Sequence, residues 1–398
     1  MCLLAATATN AQEMVIPENV AVRALPEINA LGVPLGPSFR LYPKVAVLGG
    51  YDTNILATET DELSAGRITI APSVYVQSEW SRHELNFSAF LESRTYPTES
   101  KQDYINWGAG TAGRLDVLDT TNIAASANYQ RLTEDRSGID VLQNAPTPSI
   151  YRQADVNLGI NHTIDQFTIS VGGSYTYLDY LRSRETFRDR GIARGAVQLA
   201  YTFSPGYSVF VRGTGNNRDF FNRDDRIGGS PYQSSAGYSI VGGVSSQITN
   251  LVAGELWVGY LDQMYFSDSF KNVSGVSFGA DINWFATSTT TVTLYGGREV
   301  VDSTTGTAGG IFFSTVGVAV EQFLLDNLIL DAGFEYYNGD YIGTPRDDDG
   351  FRVDAGIRYL LNQYVTLEAL YRFDNRNSNL PGQGFDRHQV DFGFVFQI

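Results

Sequence analysis

The stretch Gln389-Val390-Asp391-Phe392-Gly393-Phe394-Val395-Phe396-Gln397-Ile398 decides the fold class. Val390, Phe392, Phe394, Phe396 and Ile398 share one parity, and Gln389, Asp391, Gly393, Val395 and Gln397 share the other. Successive side chains of a strand point to opposite faces, so this alternation predicts a strand with one apolar face and one polar or small face. A helix would scatter the same five apolar residues around its circumference.

The same period runs upstream, with charges on the second face. Val365, Leu367, Ala369, Tyr371 and Phe373 oppose Thr366, Glu368, Arg372 and Asp374. Phe351, Val353, Ala355, Ile357, Tyr359 and Leu361 oppose Arg352, Asp354, Gly356 and Arg358, and Leu328, Leu330, Ala332, Phe334 and Tyr336 oppose Asp331, Gly333 and Glu335. About eighteen such segments follow from Phe39 onward, each of roughly 10 to 16 residues. Their expected starts are near Phe39, Ala65, Glu84, Tyr104, Thr121, Tyr151, Phe167, Arg190, Tyr207, Gly237, Val252, Val273, Thr290, Phe312, Leu328, Phe351, Tyr364 and Arg387.

A soluble sandwich and a membrane barrel share this alternation. Connection lengths separate them. Tight turns at Asp326-Asn327, Asn362-Gln363, Ser204-Pro205-Gly206 and Thr249-Asn250 alternate with longer polar stretches: Glu134 to Ser149, Asp219 to Gln233, Tyr341 to Gly350 and Arg376 to Asp386. Short on one side and long on the other is the pattern of an outer-membrane barrel. The expected fold is all-β: a transmembrane antiparallel up-and-down β-barrel of about 18 strands in the bacterial outer membrane, both termini periplasmic.

Composition agrees and excludes other classes. Only 18% of the 398 residues are charged, while there are 40 glycines, 23 tyrosines and 23 phenylalanines, as expected where one parity of every strand faces lipid. No apolar run approaches the ~18 residues of a membrane-spanning helix. The net charge of -16, with lysine only at positions 44, 101 and 271, argues against nucleic acid. Cys2 is the single cysteine, which rules out an intrachain disulfide or a cysteine-based metal site.

Three regions are expected. Residues 1–11 (MCLLAATATNA) resemble the end of a secretory signal peptide without its basic start, which places the true start upstream and the mature N-terminus near Gln12. Residues 12–38 hold Pro17, Pro26, Pro34 and Pro37, which forbid a continuous ladder and favour an extended segment that plugs the lumen or docks in the periplasm. Residues 39–398 form the barrel.

A midplane Arg or Lys on the lipid face costs about 2–4 kcal/mol, so the charged parity belongs to the lumen. The lumen-lining candidates are Glu92, Arg94, Arg114, Arg194, Arg212, Asp331, Glu335, Arg352, Asp354, Arg358, Glu368, Arg372, Asp374 and Asp391. Arg298 conflicts, because it shares parity with Val292 and Leu294; a bulge at Gly296-Gly297 or a rim position would resolve it. Tyr175, Tyr177, Tyr201, Phe203, Tyr260, Tyr265, Phe266, Trp284, Tyr336 and Tyr341 fall towards strand ends, where interfacial girdles belong.

Gly393, Phe394, Phe396 and Ile398 resemble the assembly signal of outer-membrane proteins, which implies the barrel assembly machinery as a partner, although Ile398 stands where Phe or Trp is usual. The stretch Val22 to Gly36 (VRALPEINALGVPLG), followed by Phe39 and by Gly50-Tyr51-Asp52-Thr53-Asn54-Ile55, resembles the opening of a family of outer-membrane beta-barrel porins of Gram-negative bacteria, often encoded beside exopolysaccharide export genes. Ile28-Asn29 departs from the Tyr-Asp usual there. The resemblance implies a conduit for a secreted polysaccharide, with periplasmic export proteins as partners besides outer-membrane lipids and lipopolysaccharide.

A barrel this wide, with both signs interspersed in its lumen, also suits a general diffusion porin for small polar solutes, which is the alternative. An enzyme is not expected. His388, Asp386 and Ser378 make the one constellation that can be drawn, and it is weak. Asp347-Asp348-Asp349 reads as a solvated loop tip before a metal site. No cofactor and no metal are implied.

Overall fold

The computed structural model describes residues 30–139, 141–142, 145–222, 232–246, 251–304 and 307–398. The expected signal remnant and residues 12–29 of the N-terminal segment lie outside these. Nineteen strands form one sheet. In chain order they are β1 (Val33–Leu35), β2 (Phe39–Asp52), β3 (Ala65–Ser78), β4 (Glu84–Thr95), β5 (Tyr104–Leu118), β6 (Thr121–Thr133), β7 (Ile150–Ile164), β8 (Phe167–Tyr180), β9 (Arg190–Ser204) and β10 (Tyr207–Phe220). There follow β11 (Ser235–Ser246), β12 (Val252–Tyr265), β13 (Val273–Trp284), β14 (Thr290–Asp302), β15 (Gly310–Leu325), β16 (Leu328–Tyr341), β17 (Asp347–Asn362), β18 (Val365–Ser378) and β19 (Phe385–Gln397).

From β2 to β19 each strand pairs antiparallel with the next, and β19 pairs back onto β2 from Gln397 against Lys44 to Gln389 against Asp52. Closure gives every strand from β2 to β19 a neighbour on both sides, which limits sheet edges inside the bilayer, where an unpaired backbone group has no water to turn to. The eighteen expected segments are the eighteen strands of this ring. The largest departure is β17, which begins at Asp347 rather than near Phe351, so the three aspartates are strand residues. Asp348 is fully buried and held by Arg346 at 2.6 Å.

Prolines in the N-terminal segment do not prevent β1. Val33 to Leu35 pair with Leu41 to Phe39, covering the part of β2 that lies beyond the end of β19.

Turn chemistry sorts the two rims. Asp119-Thr120, Asp165-Gln166, Pro205-Gly206, Asp326-Asn327 and Gln363-Tyr364 each connect strands directly on one rim, with Gly206 at φ 78° and Asp165 at φ 52°. Four of these hairpins carry a register shift at their base. The opposite rim carries the longer connections, including residues 53–64 and 134–149.

The apolar parity faces outward. Val390, Phe392, Phe394, Phe396 and Ile398 are all well exposed, as are Val156, Leu158 and Ile160 on β7. On β19 the inner-parity Gly393 is sterically required, because a Cβ there would strike the Val47 carbonyl of β2. Eight of the ten expected girdle aromatics are exposed, whereas Tyr265 and Tyr341 are buried and lie on the inner parity. Both are at the long-loop rim, and period counting places an aromatic at a strand end without revealing that a loop folds over it.

Candidate functional site: a lumen crossed by one loop

On the inner face of β15 to β19, β2 and β3 the charges form a lattice of ion pairs. The Arg358 guanidinium lies between Glu321 at 2.6 Å and Asp331 at 2.8 Å. Arg352 binds Asp374 at 2.6 Å and approaches Glu335 at 3.7 Å, while Arg372 binds Asp354 at 2.7 Å. Arg67 donates to Asp391 at 2.5 Å and to Asp52 at 3.2 Å, and Arg387 donates to the same Asp52 at 2.7 Å. Asp52 is completely buried, so two guanidinium groups and the Gln389 amide supply the hydrogen bonds that its charge lost from water.

The remaining sequence candidates are more dispersed. Arg94 meets Glu92 at 3.4 Å, Arg114 meets Asp116 at 3.0 Å and Glu84 at 3.6 Å, and Arg212 makes two 2.8 Å bonds to Glu255 while lying over Phe210 and Trp257. Arg194 donates to the Thr176 hydroxyl at 3.4 Å, and Glu368 is buried on β18 opposite Arg358.

The inner face of β6 to β11 mixes a few charges, Asp155, Arg194 and Arg212 among them, with a larger share of neutral pairs. Here neutral groups meet: Asn157 with Ser126, Asn161 with Asn122, Thr202 with Ser208 and Thr214 with Ser239, at 2.7 to 3.3 Å.

The described residues of the connection between β6 and β7, 134–139, 141–142 and 145–149, bridge the two faces. At their root Glu134 accepts two bonds from Arg188, at 3.0 and 2.6 Å. Arg136 donates to the Gln102 side chain and to the Ala145 carbonyl, both at 2.9 Å, and Gln102 in turn donates to the Pro146 carbonyl. Burial lowers the Arg136 guanidinium to about 10, helped by Arg387 and Arg184, and it stays a cation at neutral pH.

The segment then reaches the far wall. Arg387 Nη1 donates to Asp135 and to the Ser137 hydroxyl, both at 3.0 Å, and Arg376 Nη2 donates to the carbonyls of Ser137 and Gly138. Tyr341 donates its hydroxyl to the Ile139 carbonyl at 2.7 Å. The Ile139 side chain packs with Val301, Ala308, Ile311 and Tyr341, at a place where a Cβ on Gly339 would come within 3.1 Å of it. β16 is nine strands from β7 in a ring of eighteen, so this contact spans a diameter. Enclosure within the barrel pushes the Asp135 carboxyl up, though its side chain stays half exposed to the lumen, and the Arg387 charge, the Ser137 backbone N–H, Arg352 and Arg372 outweigh that and hold it below the usual carboxylate range.

Sequence reasoning missed Asp52, Arg67, Asp135, Ile139, Gly339, Arg376 and Arg387 as site residues. Parity was the signal that could have found Arg67 and Arg387, which share the inward parity of Asp391 and Gln389 across β3, β2 and β19. Nothing local marked Asp135 or Ile139, whose partners are more than two hundred residues away.

His388 stacks on Phe373 with ring centroids 4.5 Å apart and shares a 2.9 Å hydrogen bond with the Tyr371 hydroxyl. Ser378 instead receives a bond from the Leu380 backbone, so the drawn catalytic constellation does not assemble. Among the described residues no cluster of His, Cys, Asp and Glu could hold a metal ion.

A family model described as "Putative beta-barrel porin 2" matches residues 25–398. No curated protein matches the chain. Among solved structures, OpdL of Pseudomonas aeruginosa aligns at 11% identity and a TM-score of 0.46, covering 90% of this chain and 99% of its own. A BenF-like porin from Pseudomonas fluorescens aligns at 8% and 0.48, covering 90% and 99%, and OccAB3 of Acinetobacter baumannii at 10% and 0.47, with the same coverage. Such distant likenesses carry no argument about what crosses this barrel.

Proposed function

The chain belongs to that porin family of the bacterial outer membrane, and we propose that it is a passive channel for small polar, hydroxyl-rich solutes. The observation that carries this reading is the segment 134–149, tied to the opposite wall through Asp135, Ser137, Gly138 and Ile139. Eighteen strands enclose an aqueous lumen, and a strap across its diameter divides that lumen into narrower passages.

The two faces support the solute class. A lattice whose carboxylates and guanidiniums are already engaged offers little free charge to an ion, whereas rows of amides and hydroxyls exchange hydrogen bonds with a sliding solute at low cost. The polysaccharide conduit expected from the family resemblance has no support in the comparisons. A thick polymer would also have to displace the strap.

Liposome swelling tests the proposal. Proteoliposomes should swell with mono- and disaccharides and stay closed to long dextrans. Equal swelling with both would sink the size limit. A gene deletion that strips polysaccharide from the cell surface would restore the conduit.

A further inference from the structure

The wall has one incomplete seam. β13 and β14 are paired from Trp284 against Val292 only as far as Gly279 against Gly297. Yet β14 continues on β15 to Asp302 against Gly310, and β13 continues on β12 to Val273 against Gln263. Among the described residues, Val273 to Phe278 have no ladder partner on the β14 side. No bulge interrupts β14 at Gly296-Gly297 in its pairing with β15, so the Arg298 conflict is resolved by the strand leaving the wall.

The released half of β14 turns inward. Val300, of outward parity, packs against Leu261, Tyr265, Phe270 and Val273, all on the inner side of β12, β13 and their connection. The Phe312 ring of β15 follows, lying 3.0 Å from where a Cβ on Gly275 would be. The wall therefore forks between the free edge of β13 and the inturned strands, with Val300 and Phe312 packed behind the fork on the inner side.

Arg298 is the first residue past the fork. Its guanidinium sits 5.0 Å from the Phe278 ring centroid and 4.8 Å from that of Phe312, and its Nε donates to Ser314 Oγ at 2.7 Å. No carboxylate among the described residues pairs with it, although nearby Arg218 and Arg190 share Asp302. Val276 and Phe278 beside it are 52% and 37% exposed on the lipid side. A cation at membrane depth without a counter-charge is unfavourable, and a planar guanidinium with free Nη groups matches phosphate oxygens.

We propose that the outer face of this fork binds a phosphorylated lipid of the outer leaflet, its phosphate on the Arg298 Nη groups and an acyl chain along Val276 and Phe278. The site is independent of what the lumen carries.

Native mass spectrometry of the full barrel in micelles containing either diphosphoryl lipid A or phosphatidylcholine tests this. Lipid A should be retained and phosphatidylcholine lost; Arg298→Gln should weaken lipid A retention about tenfold, the loss of charged hydrogen bonds. Arg298→Lys, which preserves the charge, supplies a folded variant with intermediate retention, and Lys271→Gln, a cation removed elsewhere, should change nothing. Equal retention of both lipids, undiminished retention in Arg298→Gln, an equal loss in Lys271→Gln, or a two-chain species that excludes lipid would each overturn the proposal.

Discussion

The wall of β15 to β19, β2 and β3 and the wall of β6 to β11 are built from the same alternating pattern, yet one is a continuous lattice of ion pairs and the other sets rows of amides and hydroxyls between a few charges such as Asp155, Arg194 and Arg212. The difference follows what each must hold. A strap that crosses a water-filled barrel loses chain entropy on ordering, and only strong, geometrically fixed partners offset that. Arg376 and Arg387 are such partners because Asp52, Phe385 and their own buried stems hold them in place. Neutral groups would hold a strap poorly but let a solute pass.

The largest expected effect breaks this asymmetry at the strap. Asp135→Asn combined with Arg376→Gln removes the Asp135 ion pair and the Arg376 bonds to the Ser137 and Gly138 carbonyls, while leaving Arg387 on Asp52 and on the Ser137 hydroxyl. Single-channel conductance in planar bilayers should rise severalfold, with the barrel still heat-modifiable on gels. Unchanged conductance would mean that the strap does not narrow the path.

Gly339→Val should act next most strongly. The added side chain occupies the space of Ile139, so the apolar anchor lifts while the charged ties remain, at a cost of about 1–3 kcal/mol for overpacking. Conductance should become noisy between two levels. A quiet trace at the wild-type level would show that Ile139 contributes nothing to closure.

Within the lattice, Asp374→Asn leaves Arg352 with only the longer Glu335 contact. A partly buried cation then loses its main partner, which should cost about 1–3 kcal/mol in thermal stability and shift reversal potentials towards anion preference. Asn157→Ala, on the neutral face, should change neither measurably. If the two substitutions behaved alike, the contrast between the walls would be one of appearance only.

How far the sequence revealed these walls depends on the range of each interaction. Strand starts from Phe39 to Arg387 were legible because alternation and turn residues are local, and lipid forbids charge on one parity. The charged parity was readable for the same reason, but which charges pair, as Arg352 does with Asp374, was not. The strap was not, since Glu134 to Ser149 looks like any polar connection until Tyr341 and Arg376 are brought across the barrel. The seam left one trace, the misplaced parity of Arg298. It was visible as a conflict, but whether a bulge or a departing strand resolves it depends on how Val300 packs in three dimensions.

The smallest effect concerns pH and the Asp135 tie. The Asp135 carboxyl faces Arg387, Arg352 and Arg372, and its affinity for protons in the folded barrel lies below that of the free side chain, about 3.9. A group depressed in this way contributes fully above its unfolded value and loses that contribution as pH falls through the folded one. Conductance should therefore stay flat from neutral pH down to the ordinary carboxylate range and rise only in stronger acid. In Asp135→Asn that acid-dependent rise should be missing. A rise already complete near neutral pH would mean that the carboxylate is not held by the arginines, and the strap would then rest on Arg376, Ile139 and the Arg387 bond to Ser137.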